Sequence, residues 1–143
     1  MAKKKNIAEE ILLKVRDPRI ILHRIKDASS FNSYTRCATV CDFFGQVGGR
    51  PILIECKETD GDSIPYSKLF RDASSHQYAA LRGWRECHPH ALALYFCRIR
   101  DQIGVVPVEF ISEERGSITT SHPGARFEDI AKVRLHYLLT GIE

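Results

Sequence analysis

Two acidic residues and a lysine stand where the pairing of two strands would bring their side chains together. One apolar, strand-like run ends in Glu55 and Lys57, and Asp42 ends an earlier apolar run, thirteen residues before Glu55. Because side chains alternate between the two faces of a strand, Glu55 and Lys57 share one face. A turn at Gly48-Gly49 would fold the chain back and place Asp42 across from Glu55. The sequence therefore predicts a cluster of two carboxylates and one ammonium group.

Such a cluster suits the hydrolysis of a phosphodiester. Two neighbouring carboxylates repel each other unless a cation lies between them, and their oxygen atoms suit a hard divalent ion such as Mg2+ or Mn2+. Asp42 and Glu55 are therefore candidate metal ligands, and a metal ion there would activate water and neutralise charge on a phosphate. Lys57 could orient the water, help to deprotonate it or pair with the phosphate. The alternative is a solvated Glu–Lys ion pair on a surface hairpin, worth ~0–1 kcal/mol.

A longer stretch around these residues carries a recognisable pattern. Its parts are Thr39 shortly before Asp42-Phe43-Phe44-Gly45, then Gly49-Arg50, then Glu55-Cys56-Lys57-Glu58-Thr59, and finally His76-Gln77. This pattern resembles the PD-(D/E)XK nuclease superfamily, which includes many restriction enzymes, and within it the RecU-type Holliday junction resolvases. The resemblance covers about residues 35–80, and Cys56 replaces an alanine of the family.

The resemblance implies roles for individual residues. It implies that Asp42 and Glu55 bind Mg2+, for which Mn2+ would substitute, that Lys57 is catalytic, and that Gln77 lies near the site at the start of a helix. Glu9 or Glu10 matches a glutamate in the first helix of such nucleases. We name Glu10 as the third candidate metal ligand and keep Glu9 open. Either glutamate could instead be a first-turn acid that favours the helix dipole.

DNA contacts are expected from local clusters of basic residues, because the formal net charge of the whole chain is only +3. Affinity for DNA comes largely from contacts to phosphate. The candidate DNA-binding residues are Arg24, Lys26, Tyr34, Arg36, Thr39, Arg50, Lys68 and His76. A four-way DNA junction as partner implies a C2 homodimer, since resolution needs two symmetric cuts.

The composition is that of an ordinary globular protein, with 43% hydrophobic and 27% charged residues. We expect one domain over residues 1–143. No apolar run approaches the ~18 residues of a membrane span, and no secretory signal is evident. Five cysteines then predict reduced thiols and a cytoplasmic protein, in the nucleoid or in host cytoplasm if phage-encoded. A zinc site from Cys37, Cys41 and Cys87 to His90 is disfavoured by its spacing.

The order of elements predicts an α/β protein, with a restriction-endonuclease-like mixed β-sheet flanked by helices. Helices are predicted from the spacing of apolar residues and their caps, and strands from apolar runs bounded by turns. We expect helices over residues 6–15, 66–70, 74–86 and 127–139, and strands over residues 19–25, 35–47, 50–57, 91–98 and 105–111.

Together these features predict a Mg2+-dependent, structure-specific endodeoxyribonuclease that resolves Holliday junctions by paired symmetric nicks in recombination and repair. Two alternatives stay open. One is another PD-(D/E)XK nuclease that acts on duplex DNA, ends or single strands. The other is a non-catalytic DNA-binding protein of the same fold.

Overall fold

The computed structural model describes residues 6–25, 41–70, 74–112 and 116–142. Four of the candidate DNA-binding residues, Lys26, Tyr34, Arg36 and Thr39, lie outside the described residues, as does Cys37 of the disfavoured zinc site.

The described part of the chain contains both helices and strands. The helices are α1 (Ile7–Leu13), α2 (Ser67–Phe70), α3 (Ser74–Cys87) and α4 (Leu135–Thr140), with 3-10 turns at Val108–Phe110 and Ile130–Lys132. The strands are β1 (Ile20–Arg24), β2 (Phe43–Val47), β3 (Arg50–Thr59), β4 (Ile64–Pro65), β5 (Leu92–Ile99), β6 (Gln102–Pro107), β7 (Ser117–Ile118) and β8 (Arg126–Asp129).

Six of these strands form one mixed sheet in the order β1-β2-β3-β5-β6-β8. The central strands β3 and β5 are parallel and are connected through α2 and α3, whereas the other neighbouring pairs are antiparallel. Strands β4 and β7 form a separate two-stranded sheet. The predicted fold class, an α/β protein with a mixed sheet flanked by helices, is confirmed.

Each face of the large sheet packs against its own set of helices. On the first face, Ile52, Ile54 and Cys56 of β3 pack with α1 and α4. On the second face, Leu53 of β3 packs with α2 and α3. The predicted alternation of β3 side chains between the two faces of the sheet is confirmed. It directs Glu55 and Lys57 toward the second face, away from Cys56.

The β2–β3 hairpin closes at the predicted glycine pair. Gly48 and Gly49 have φ values of 56° and 82°, and a residue with a side chain would be strained at such positive φ values. Gly45 in β2 is required for a different reason, because a Cβ atom there would lie 1.9 Å from the carbonyl oxygen of Ile21 in β1. These glycines let β1, β2 and β3 pair closely next to Asp42.

Three predictions about elements need correction. The helix predicted over residues 127–139 is wrong, because Arg126–Asp129 pairs with β6 and the helix begins only at Leu135. The strand predicted over residues 105–111 is wrong beyond Pro107, because β6 spans Gln102–Pro107 and a 3-10 turn follows at Val108–Phe110. The pairing of β4 with β7 was not among the predictions. The helix predicted over residues 6–15 ends at Leu13, and within it the apolar Ile7 is 36% exposed while Ala8 is buried.

Within the described ranges, no helix is both long and apolar enough to cross a membrane.

Candidate active site

Asp42 lies one residue before β2 and extends the pairing of the hairpin. Its backbone N–H donates to the carbonyl oxygen of Ile54 over 3.1 Å, and its own carbonyl accepts from Ile25 over 2.9 Å. Its side-chain Oδ2 accepts a 2.8 Å hydrogen bond from the backbone N–H of Cys56. The carboxylate of Asp42 is therefore fixed against β3, next to Glu55, as the hairpin prediction required.

Glu55 is a buried acid at the centre of the sheet. It is 3% exposed, and its Oε1 atom has no hydrogen-bond partner within the described residues. Burial raises the pKa of Glu55 to about 8, and the negative charge of Asp42 contributes to the rise. A buried carboxylate in this setting is stabilised either by a proton or by a nearby cation.

Lys57 supplies one cation but does not pair tightly with Glu55. Its Nζ atom lies 3.4 Å from Oε2 of Glu55 and donates to Oε1 of Gln77 over 3.3 Å. Gln77 is in the first turn of α3, so this helix orients the lysine toward the two carboxylates. The structure thus brings together Asp42, Glu55, Lys57 and Gln77, the four residues expected to be catalytic.

The first helix brings a further carboxylate to this cluster, and it belongs to Glu9. The Glu9 carboxyl group is close enough to Asp42 for the two acids to interact electrostatically. Burial raises the pKa of Glu9, the Asp42 charge raises it further, and Arg24 opposes the rise through a 3.0 Å ion pair. Glu10 instead forms a 3.0 Å ion pair with Lys14 on the same helix. The acid next to Asp42 is thus Glu9, because the cap at Asn6 sets the rotation of α1. Metal binding by Glu10, the named third candidate, stays a prediction.

The residues present fit a hard divalent cation held by two carboxylates. No group of three or more His, Cys, Asp or Glu side chains in the described ranges is arranged as a complete metal site. Mg2+ needs no such group, because it commonly uses one or two carboxylates and takes its other ligands from water and phosphate. Asp42 and the unpartnered Oε1 of Glu55 meet this requirement, with Glu9 adding negative charge behind Asp42.

The four described DNA-binding candidates occupy different surroundings. Arg24 lies next to the acidic cluster, but its guanidinium group forms an ion pair with Glu9. Arg50 donates to the carbonyl of His90 and lies five residues before Glu55 on an extended strand, about 17 Å away. Lys68 and His76 are exposed on α2 and α3, the helices that cover the second face of the sheet. DNA binding by these residues stays a prediction.

The described cysteines of the disfavoured zinc site have separate environments. Cys41 is buried and its Sγ atom lies 3.8 Å from the carbonyl oxygen of Gln77, whereas Cys87 is exposed at the end of α3. Burial raises the pKa of the Cys41 thiol, which favours the uncharged thiol.

Comparisons with known proteins give a likeness to solved structures. No family model matches the chain, and no curated protein matches it. The chain is similar to the 1.6 Å structure of Hjc from Archaeoglobus fulgidus, a Holliday junction resolvase from an archaeal hyperthermophile. The match has 19% sequence identity and a TM-score of 0.47, and it covers 71% of this chain and 77% of Hjc. A likeness of this degree assigns neither a family nor an activity to this chain.

Proposed function

We propose that this protein is a Mg2+-dependent endodeoxyribonuclease of the PD-(D/E)XK type. One observation carries the proposal: the hairpin places Asp42 beside a buried Glu55 that has an unpartnered oxygen, with Lys57 at 3.4 Å. An acid that is buried next to a second acid is costly to keep ionised without a cation. The arrangement therefore has the features of a site that binds a divalent ion rather than those of a surface ion pair.

The side chains divide the work of phosphodiester hydrolysis between them. Asp42 and Glu55 would hold Mg2+, which when bound supplies positive charge against the phosphate and makes water more acidic. Lys57 donates from an ammonium group next to these acids, so it can orient the attacking water or stabilise the phosphate oxygens. Gln77 accepts from Lys57 and restricts where the ammonium group points.

The substrate that we propose is a four-way DNA junction. Support for it comes from the sequence pattern that runs from Thr39 through Glu58-Thr59 to His76-Gln77, which resembles RecU-type resolvases more specifically than the acidic pair alone. Two symmetric nicks require two sites, so we propose that the active form is a C2 homodimer.

Cleavage of a labelled synthetic four-way junction, beside linear duplex of the same sequence, tests this proposal. Each substrate is incubated with Mg2+, with Mn2+ and with EDTA. We expect paired, symmetric nicks in the junction with either metal and none with EDTA. Equal cutting of the linear duplex would retain the nuclease but discard the junction specificity.

The matched control is Glu55→Gln, which keeps the shape of the side chain and removes its charge. We expect this variant to bind the junction at least as well as the wild-type protein, because one repulsion with phosphate is removed, and to lose cleavage. Cleavage by Glu55→Gln at the wild-type rate would mean that another site or a contaminating nuclease cuts the DNA.

A further inference from the structure

Strand β3 carries a second pair of charged contacts on the opposite side from the candidate active site. Glu58 follows Lys57 but points to the first face of the sheet, where α1 packs. Its Oε1 atom accepts a 3.2 Å hydrogen bond from the backbone N–H of Ala8, in the first turn of α1. One strand therefore contacts both the acidic cluster, through Glu55, and the helix that brings Glu9 to it.

The other oxygen of Glu58 is bound by a buried arginine. Arg98 of β5 is 5% exposed, and its Nη2 atom donates to Oε2 of Glu58 over 3.2 Å and to Oδ1 of Asp60 over 2.9 Å. Its Nη1 atom donates to the carbonyl oxygen of Arg100 over 2.7 Å. An arginine that is held at two nitrogen atoms has a defined position, so it fixes the orientation of the Glu58 carboxylate.

Helix α1 depends on such contacts because it is short. A helix of seven residues is not stable on its own, since the first turn is costly to form. Asn6 accepts from the N–H of Glu9, and Glu58 accepts from the N–H of Ala8, so two of the free N–H groups at the helix start are bound. Leu12 anchors the other end in the core. Without Glu58, the first turn would be attached to the sheet mainly through Ala8 and its neighbours.

We propose that Glu58 and Arg98 are positioning residues that fix the first turn of α1, so that Glu9 stays against Asp42 and adds its negative charge to the cation site. This inference rests on the proposed function and deepens it. Neither residue contacts the reacting atoms. Their effect is on how well the site holds a divalent cation, because the charge of Glu9 raises the attraction for that cation.

Three variants test the pair. Glu58→Ala removes the acceptor of the Ala8 N–H, Glu58→Gln keeps an oxygen there, and Asp62→Asn is the matched control. Asp62 lies just after the end of β3 and pairs with Arg100, and both side chains are largely exposed. The readouts are amide hydrogen exchange of residues 8–13, the rise in unfolding temperature caused by Mg2+, and the Mg2+ concentration that gives half-maximal cleavage.

We expect Glu58→Ala to speed amide exchange in α1 and to raise the Mg2+ concentration that gives half-maximal cleavage. Each change should be at least about fivefold, because the loss of one hydrogen bond of ~1 kcal/mol changes an equilibrium constant by about that factor. The rate at saturating Mg2+ stays near the wild-type rate. Glu58→Gln recovers part of both changes, and Asp62→Asn behaves as the wild-type protein. If Glu58→Ala does not fold, Arg98→Lys serves instead, since lysine keeps the charge but has only one nitrogen atom with which to donate.

The result that overturns the proposal is Glu58→Ala with wild-type exchange in α1, or with faster exchange but an unchanged response to Mg2+. The latter would make Glu58 a stabilising residue only. Failure of the proposed function gives a different pattern: the wild-type protein does not cut DNA, while the exchange and the Mg2+-induced rise in unfolding temperature still report on Glu58.

Discussion

The backbone N–H of Cys56 donates a 2.8 Å hydrogen bond to the Oδ2 atom of Asp42. Cys56 stands between Glu55 and Lys57, so this one contact fixes Asp42 relative to both through the backbone of β3. The contact uses only one of the two carboxylate oxygens. Asp42 is thus positioned by the fold before any cation is bound, which separates its structural role from its proposed role in metal binding.

The two roles of Asp42 predict different outcomes for two substitutions. Asp42→Asn keeps a side-chain oxygen that can accept from Cys56, so we expect an unfolding free energy close to that of the wild-type protein. Asp42→Ala leaves the N–H of Cys56 without its acceptor and should cost about 1–3 kcal/mol. Both should reduce cleavage at least about 100-fold.

Urea unfolding of the metal-free proteins at pH 7, beside the junction cleavage rate, checks this prediction. Equal stability of Asp42→Ala and Asp42→Asn would show that the hydrogen bond to Cys56 contributes little to the fold.

The buried acid predicts an unusual dependence of stability on pH in the metal-free protein. The pKa of Glu55 is raised from an ordinary 4.5 to about 8, chiefly by burial. Between these values the folded state binds a proton that the unfolded state has released. The contribution of Glu55 to the unfolding free energy is therefore complete below pH 4.5 and is lost as the pH rises to about 8. We expect Mg2+ to restore stability at the high end, where the carboxylate is ionised.

The measurement is the unfolding free energy of the wild-type protein and of Glu55→Gln at several pH values between 5 and 8.5, with EDTA and with Mg2+. Without metal, the advantage of Glu55→Gln should grow by about 1–3 kcal/mol across this range. The comparison between the two proteins removes the contribution of Glu9, whose pKa is also raised. A difference that does not change with pH would contradict a buried, protonated Glu55.

Gln77 is predicted to act through Lys57. Because Oε1 of Gln77 accepts from the ammonium group over 3.3 Å, Gln77→Ala should leave Lys57 less well oriented. We expect kcat to fall about tenfold, a typical effect of a misplaced reacting group, with KM changed by less than about twofold. Steady-state cleavage at saturating Mg2+ measures both constants. A rise in KM with unchanged kcat would instead make Gln77 a residue that contacts DNA.

Much of the site could be predicted because it depends on local pattern. The alternation of β3 placed Glu55 and Lys57 on one face, and the glycine pair at 48–49 fixed the hairpin that brings Asp42 to them. Strand β5 could be predicted because its run of apolar residues is long. The choice between Glu9 and Glu10 did not follow, because adjacent residues on a short helix differ only in rotation, and the contacts of Asn6 and Glu58 with α1 decide that rotation.

The C-terminal part was predicted poorly because its structure depends on distant partners. The apolar residues Ile130, Val133, Tyr137 and Leu138 have a spacing that suits a helix. Residues 126–129, just before them, instead pair with β6, more than twenty residues away. Gly104 permits this pairing, since a Cβ atom there would lie 2.3 Å from the ring of Phe127. Strands of two residues, such as β4 and β7, are too short to show any period.

Gly45 gives a prediction that connects the fold to the site. An alanine Cβ at this position would lie 1.9 Å from the carbonyl oxygen of Ile21, which is backbone and cannot rotate away. Strands β1 and β2 would have to separate, and the bond from Ile25 to Asp42 lies in the same pairing. We expect Gly45→Ala to lower the unfolding free energy by about 2–4 kcal/mol and to reduce cleavage even at temperatures where the protein is folded.

Two other glycines provide matched controls for this substitution. Gly83 is inside α3 and a Cβ atom there meets nothing within 4 Å, so Gly83→Ala should stabilise the protein by about 0.5–1 kcal/mol. Gly49 also has open space but a φ of +82°, so Gly49→Ala should cost about 1 kcal/mol from backbone strain alone. Thermal and urea unfolding of the three variants gives the order of their stabilities. A Gly45→Ala protein as stable as Gly49→Ala would mean that β1 can move away from β2 at little cost, and that Asp42 is positioned by β3 alone.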